Sequence, residues 1–279
     1  MLYGQIRRFV TAYNIDVPFR EVRLLIAWIT GLPVERLSLE PDLHLSDRQM
    51  LRLRRAIRKR AANYPLQYIT GSVEFMGINF SITRGVFIPR PETELLVETA
   101  LHAIEAYGYT TVLDLCCGSG AVGLGIARMS TGTHIALTDL SRAAIRLAKK
   151  NSMILRLGQR VRFFTGDLFS ALPRPMTFDL IVSNPPYVPH ERMKRLQAEV
   201  LEEPANALDG GRRGLDVIRK IIEEADGFLN RKGMLIMEHD DTHAGYFRDL
   251  YTGEKRPGLR YAKTINDLAG LPRISIFNT

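Results

Sequence analysis

An α/β domain built on a parallel sheet, with a small helical domain on its N-terminal side, is the fold class this sequence predicts. Three observations predict it. From Thr110 onward, short apolar runs alternate with helical segments, the pattern of a parallel sheet with helices on both faces. Before about Pro65 the apolar residues fall at helical spacing instead, and the stretch in between alternates like a strand around a glycine. One buried-strand run, Leu180-Ile181-Val182, is cut off by Pro185-Pro186, which cannot donate backbone hydrogen bonds and cannot extend a central strand. A length of 279 residues suits one large domain with a smaller one, divided as 1–65 helical, 66–90 linking, and 91–279 α/β.

In the first region, Phe19 to Ile29 carries Val22, Leu24, Leu25, Ile26 and Trp28 at helical spacing until Leu32-Pro33 breaks it. The residues before Phe19 are read as helical too. Ser46 is an N-cap candidate, with Gln49 closing a capping box. The helix that follows bears Arg48, Arg52, Arg54, Arg55, Arg58, Lys59 and Arg60 around a buried side of Leu51, Leu53, Ala56, Ile57 and Ala61. A solvated basic face is preferred here over a macromolecular contact surface. Val73 to Ile82 alternates around Gly77 and predicts a β-hairpin joining the two domains. Pro91, with Glu92 and Glu94 in the first turn, marks a helix N-terminus, and that helix runs through Leu95, Leu96, Val97 and Ala100.

The α/β region then reads in order. Strands are expected at Thr111–Leu115, His134–Asp139, Arg160–Gly166, Asp179–Ser183, Gly233–Glu238 and Leu271–Phe277, and helices at Ala121–Met129, Ala143–Leu157 and Leu215–Phe228. The hydrophobic share of 46% is that of an ordinary globular protein. No apolar run approaches the ~20 residues that span a bilayer, and Met1 to Arg8 lacks the apolar core of a signal peptide. The two cysteines, Cys116 and Cys117, are adjacent, which excludes a disulfide framework and a zinc spacing. A cytoplasmic protein is expected. The net charge of +8 favours an acidic or nucleic-acid-associated partner only weakly.

The chemistry starts where the fourth strand stops. Asn184-Pro185-Pro186-Tyr187 leaves bare carbonyls, one amide and one aromatic ring at a strand end. A planar NH2 group is a poor nucleophile because its lone pair is delocalised. The Asn184 side-chain oxygen and the Pro185 carbonyl can each accept one of its hydrogens, and Tyr187 can stack on its flat face, so that the lone pair is aimed at an electrophile. Read literally, Gly118-x-Gly120-x-x-Gly123 with Asp139 about 20 residues on spells the dinucleotide fingerprint. Three features favour S-adenosylmethionine instead. Asp114, just before the turn, suits a cationic ammonium group and would repel a pyrophosphate. Asp114, Asp139 and Asp167 recur at three consecutive strand ends, Asp139 suiting ribose hydroxyls and Asp167 the adenine amino group. Asn-Pro-Pro-Tyr has no obvious role in hydride transfer.

These residues, with Pro65–Gly71, Phe87–Glu94, Glu203-Pro204, Ala207–Gly211, Gly214–Asp216, Asp267–Gly270 and Pro272-Arg273, resemble the peptide chain release factor N5-glutamine methyltransferase family (PrmC/HemK) over nearly the whole chain. The resemblance implies a Class I S-adenosylmethionine-dependent methyltransferase fold, Rossmann-like, with a mostly parallel seven-stranded sheet, a helical N-terminal domain and a linking hairpin. It implies methyl transfer to the glutamine amide nitrogen of the Gly-Gly-Gln motif in class 1 release factors, with the helical domain helping to grip the factor. It places the cofactor on Cys116, Cys117, Gly118, Ser119, Gly120, Asp139, Leu168 and Asn184, and the glutamine on Asn184 to Tyr187. No membrane and no direct nucleic-acid substrate are expected.

The chain departs from the family pattern in three places. Cys116 stands where a glycine is usual, so altered packing is expected. Leu168 stands where a bulky aromatic is common and would cover adenine less well. Glu238-His239-Asp240-Asp241-Thr242-His243 replaces the usual sequence after the fifth strand, and it is read as a solvated loop rather than a metal site. Cys117 has no basic partner nearby in sequence to make it a nucleophile. The rival readings are a glutamine methyltransferase of a large-subunit ribosomal protein, an amino-methyltransferase of nucleic acid, and a binding module that has lost catalysis.

Overall fold

The structure, a computed structural model, describes residues 17–40, 43–251 and 258–279. The chain divides into two compact units. One comprises the described residues up to Ser72 together with Gln197–Glu202, and the other Val73–Leu196 with Glu203–Thr279.

The first unit is helical. Helix α1 (Phe19–Thr30) ends on Gly31, whose left-handed backbone (φ 74°) lets its N–H cap the Ala27 carbonyl. Helix α2 (Asp47–Ala61) starts with the capping box, Ser46 and Gln49 each satisfying the other's backbone N–H. Helix α3 (Leu66–Thr70) follows. Val22, Leu25, Ile26 and Ile29 of α1 meet Leu53, Ala56 and Ile57 of α2 in one core. Leu51, expected on the buried side, is 49% exposed. It precedes Leu53 by two residues, a rotation of about 200° on a helix, which puts the two on opposite faces. Arg48, Arg52, Arg54, Arg55, Arg58 and Lys59 are exposed, whereas Arg60 turns in and pairs with Glu21 (2.5 Å) and Glu199 (2.7 Å). The helical reading of the residues before Phe19 lies mostly outside the described residues.

The second unit opens with the hairpin β1 (Ser72–Phe75) and β2 (Ile78–Ser81). Its tight turn places Met76 (φ 53°) and Gly77 (φ 67°) both in the left-handed region, the twist a two-residue hairpin needs. The hairpin is packed into this unit. Phe75 and Phe80 sit in its core, and the Asn151 amide bonds both the N–H and the carbonyl of Ser81. After Pro91–Thr93, one turn of 3-10 helix, comes α4 (Glu94–Tyr107). Strands β3 (Thr111–Leu115), β4 (His134–Asp139), β5 (Val161–Thr165), β6 (Phe178–Ser183), β7 (Leu229–Glu238), β8 (Arg260–Asn266) and β9 (Pro272–Asn278) form one sheet among the described residues, in the order β5-β4-β3-β6-β7-β9-β8. The five strands from β3 to β7 run parallel, and β9 runs antiparallel to both β7 and β8. Alternate residues face opposite cores. Val112, Leu180, Val182 and Ile236 pack with α4, α5 (Ala121–Met129) and α6 (Arg142–Ile154), while Leu113, Leu115, Ile181 and Leu235 pack with α8 (Asp216–Ala225). Two short helices complete the unit, α7 (His190–Met193) and α9 (Ala244–Tyr251).

The order reverses at β3, which lies between β4 and β6. Such a switch point opens a crevice beyond the carboxyl ends of the strands. The register brings those ends level, with Leu115 opposite Thr138 on one side and Ser183 on the other. The Asp179 carboxylate accepts from the N–H groups of Thr110 and Thr111, both at 2.9 Å, and fastens the opposite end of β3 to β6. Among the described residues no helix is long and apolar enough to cross a membrane. Replacing Ser46 by Ala should remove one half of the capping box and lower stability by about 1 kcal/mol, measured by urea denaturation.

Candidate active site

The turn after β3 carries the chain from Cys116 to Gly120 and into α5. Its backbone is left-handed at Cys116 (φ 59°), Gly118 (φ 55°) and Gly120 (φ 81°). Cys116 holds that conformation with a side chain present, at a cost of about 1–2 kcal/mol, and its thiol packs against the core that contains Leu115 and Ile181. Asp139, at the end of β4, stabilises the turn: its carboxylate accepts from the N–H of Gly118 (2.8 Å) and of Ser141 (2.7 Å). The Cys117 N–H donates to the Thr138 carbonyl (3.0 Å), and the buried Ser119 carbonyl accepts from Asn151 (2.9 Å). Burial pushes both thiols well up, so neither is a thiolate.

Asp114 lies beneath this turn, 1% exposed, its Oδ2 accepting from the Gly123 N–H at 2.8 Å. A Cβ on Gly123 would stand 2.8 Å from that same oxygen, so the third glycine of the fingerprint serves the close approach of α5 to a carboxylate. Burial pushes Asp114 up to about 8; the Gly123 N–H partly offsets this, and the nearby Asp139 charge adds to it. Asp139 is raised as well, again by burial first. An acid raised by burial ionises once a cation sits beside it and stays protonated beside a pyrophosphate, so Asp114 and Asp139 favour a cationic ligand. This donor set fits S-adenosylmethionine, with its ammonium and sulfonium charges, and does not fit a dinucleotide.

Asp167 and Leu168 stand at the end of β5. Asp167 is exposed, and its carbonyl accepts from Ser170. Leu168 has a left-handed backbone (φ 44°) and is 8% exposed, its side chain packed with Leu115 and Phe169. Leu168, read as a thin cover for adenine, has its side chain mainly in the core.

The strand end itself is tightly wired. The Ser183 hydroxyl donates to the Leu115 carbonyl at 2.9 Å. Asn184 Nδ2 donates to the Thr93 hydroxyl at 3.1 Å, which leaves the amide oxygen on the other side of the group. The Tyr187 hydroxyl donates to Glu238 Oε1 at 3.1 Å. Glu238 ends β7, is 1% exposed, and is pushed up to about 7 by burial. A strap then clamps the loop. The Val188 N–H donates to Leu208, and the Gly210 N–H donates to Val188, both at 2.9 Å. Gly214 is left-handed (φ 72°), and a Cβ there would fall 2.0 Å from the Tyr187 carbonyl oxygen. Glu203, fully buried at its carboxylate, accepts from the Ile88 N–H (2.9 Å) and pairs with the Arg90 guanidinium. The separate stretches around Arg90, Glu203 and Gly214 therefore fold around Asn184 to Tyr187.

The segment after β7 corrects the sequence reading. His239 (0% exposed) and His243 (3%) are core residues, not members of a solvated loop. His239 bonds through Nδ1 to the Asp240 carbonyl and through Nε2 to the Ser275 hydroxyl, both at 2.8 Å, while His243 Nε2 meets the Arg213 carbonyl at 2.9 Å. Burial depresses both imidazoles, His239 to about 4, so they stay neutral in the core. Among the described residues no group of three or more His, Cys, Asp or Glu is placed to hold a metal ion.

The structure thus brings Asp114, Asp139, the Cys116–Gly120 turn and Asn184 to one end of the sheet. Asp167 is at a neighbouring strand end with its carboxylate exposed. Sequence reasoning gave no role to Thr93 or Glu238. One signal was a threonine between two acids at a helix start. The other was an acid ending an otherwise apolar strand. Gly214→Ala should lower stability by about 2–4 kcal/mol in a denaturant titration. Gly227→Ala, where a Cβ meets nothing within 4 Å, should stay within about 0.5 kcal/mol of the parent.

Residues 83–213 match the family model described as the methyltransferase small domain, and residues 2–71 match the PrmC N-terminal domain. Three relatives described as release factor glutamine methyltransferase illustrate the likeness. That of Moorella thermoacetica is 36% identical over 270 residues, 97% of this chain and 94% of the relative. That of Geobacter sulfurreducens is 40% identical over 269 residues, 96% of this chain and 92% of the relative. That of Bordetella pertussis is 41% identical over 222 residues, 80% of each. Among solved structures, the T. thermophilus 16S rRNA N2 G1207 methyltransferase, in complex with AdoMet and guanosine, superposes with a TM-score of 0.51 at 20% identity. It covers 75% of this chain and 49% of its own, a likeness of fold.

Proposed function

The chain belongs to the release factor glutamine methyltransferase family, and we propose that it transfers a methyl group from S-adenosylmethionine to the glutamine amide nitrogen of the Gly-Gly-Gln motif in class 1 release factors. The observation that carries this reading is the wiring of Asn184. Its nitrogen is tied to Thr93, so its oxygen is available to a substrate amide at the end of β6. Asn184 Oδ1 and the Pro185 carbonyl then accept the two N–H bonds of that amide, drawing electron density onto its nitrogen and fixing its plane. Tyr187, anchored through its hydroxyl on Glu238, holds its ring edge in place beside the same loop. No strong base is needed, because an alkylated amide nitrogen is far more acidic than the starting amide and sheds one proton to water. Asp114, Asp139 and the backbone of Cys116 to Gly120 would hold S-adenosylmethionine, which supplies an electrophilic methyl when bound.

The test is methyl transfer from labelled S-adenosylmethionine to a purified release factor, its Gln→Ala variant in the Gly-Gly-Gln motif, ribosomal proteins and DNA in parallel. Label on the intact factor alone is expected. Label on a ribosomal protein would transfer the enzyme to the sister specificity, and label on DNA would overturn the protein-glutamine reading. Asn184→Ala should cut kcat by at least ~100-fold while the release factor still binds.

Asp114→Asn separates cofactor binding from stability. A carboxylate raised by burial loses stability as the pH rises from its usual range through about 8, because ionisation is penalised in the folded state. The neutral variant should therefore be at least as stable as the parent at alkaline pH. It should bind S-adenosylmethionine at least ~10-fold more weakly by calorimetry.

A further inference from the structure

An asparagine amide has two chemically opposite ends of nearly equal shape. Only one orientation of Asn184 accepts a substrate N–H; the other presents an NH2 group to an NH2 group. Something has to choose between them. The contact at Nδ2 is the Thr93 hydroxyl, at 3.1 Å, and a hydroxyl alone is indifferent, since it can accept from an amide nitrogen or donate to an amide oxygen. Thr93 is 2% exposed, so water does not settle its direction.

Glu238 settles it. The Thr93 hydroxyl also faces this carboxylate closely enough to favour its ionised form, partly offsetting the effect of burial. An ionised carboxylate accepts only. Oε1 receives the Tyr187 hydroxyl, and Oε2 is buried with no hydrogen-bond partner among the described residues, an acceptor lacking a donor. The Thr93 hydroxyl accepts from Asn184 and still has its own hydrogen to give. A Thr93 hydroxyl that gives its one hydrogen to Glu238 can only accept from Asn184, which turns Nδ2 inward and Oδ1 toward the substrate. We propose that ionised Glu238 is a positioning residue that acts through Thr93 to fix the Asn184 amide with its oxygen facing the substrate amide, and that acts directly on Tyr187 to fix its ring. This rests on the function proposed above and names the group that directs its key side chain.

The groups facing Glu238 are Thr93, Tyr187, the Arg273 guanidinium and Glu92. Arg273 is itself paired with Asp267 at 2.9 Å and so does not neutralise Glu238 outright. With burial the dominant influence, Glu238 takes a proton at about pH 7. A protonated carboxyl can donate to Thr93. Thr93 is then free to donate to Asn184 Oδ1, and the amide turns over. The orientation is therefore set above about pH 7 and lost below it, so kcat should fall with decreasing pH, first order in protons.

Glu238→Gln tests this with almost no change of shape, because its NH2 can donate to Thr93 and the direction is no longer imposed. Methyl transfer to the release factor is followed from about pH 6 to about pH 9. Expected are a kcat roughly 10- to 100-fold below the parent, loss of the acid limb, an unchanged KM for S-adenosylmethionine, and stability no lower than the parent, since a buried charge is removed. Thr93→Val should lose kcat like Glu238→Gln, and Thr93→Ser, which keeps the hydroxyl, should lose less. Full kcat with an unaltered pH profile in Glu238→Gln overturns the proposal. A parent enzyme that labels no release factor would overturn the proposed function instead, and the orientation is then read by NMR. The Asn184 side-chain NH2 should be protected from solvent exchange in the parent and unprotected in Glu238→Gln; equal exchange in both overturns the inference.

Discussion

The site depends first on the register of four parallel strands. Leu115 pairs with Thr138 on one side and Ser183 on the other, and Asp139 pairs with Thr165. That alignment sets the glycine-rich turn, Asp139 and Asn184 side by side at one end of the sheet. A slip of one residue in β6 would move Asn184 by about 3.3 Å and send Leu180 and Val182 to the wrong core. The two packed faces forbid the slip, and the Ser183 hydroxyl on the Leu115 carbonyl fastens the last rung where the prolines end the ladder.

On this rigid base the chain keeps charges that stability alone would discard. Glu203 is a buried carboxylate with a guanidinium and a backbone N–H to meet it, so it serves as a fastener. Asp114 and Glu238 differ. Each is raised by burial, and neither has a cation bonded to it among the described residues. Groups held at such a cost cluster where a ligand or a reaction uses them. The contrast sets Glu203, whose charge is met by a bonded guanidinium, apart from the other two, whose charges are not.

Much of this was legible in the sequence because the physics is local. Thr111–Leu115 and His134–Asp139 are apolar runs between turn signals, and the structure places strands at those bounds. Ser46 and Gln49 spell a cap within four residues. What escaped depended on neighbours distant in sequence. Strand β8, Arg260–Asn266, is an edge strand with only one covered side, and its charges hide the alternation. His239 and His243 looked solvated beside three acids, yet the antiparallel partner β9 and Phe247 of α9 bury them. Leu51 was misplaced by reading hydrophobicity without its angle. Thr93 and Glu238 lie 145 positions apart, and no spacing rule joins a helix start to the end of a later strand.

The reason such distant pieces converge lies in the loop itself. Pro185 and Pro186 have no N–H, so Asn184 to Tyr187 cannot hold its own shape through backbone donors. It has to be held from outside. The strap reaches Val188 through Leu208 and Gly210, Gly214 packs against the Tyr187 carbonyl, and Thr93 and Glu238 take the two polar side chains. A donor-poor loop leaves its carbonyls to accept, as the proposed methyl transfer to an amide nitrogen would require. The same poverty makes the loop dependent on partners whose hydrogen bonds have a fixed direction. A carboxylate is the side chain best suited to impose that direction, because when ionised it can only accept. A buried acid at this position therefore follows from the prolines: once the backbone cannot donate, orientation has to come from a group that cannot do so either.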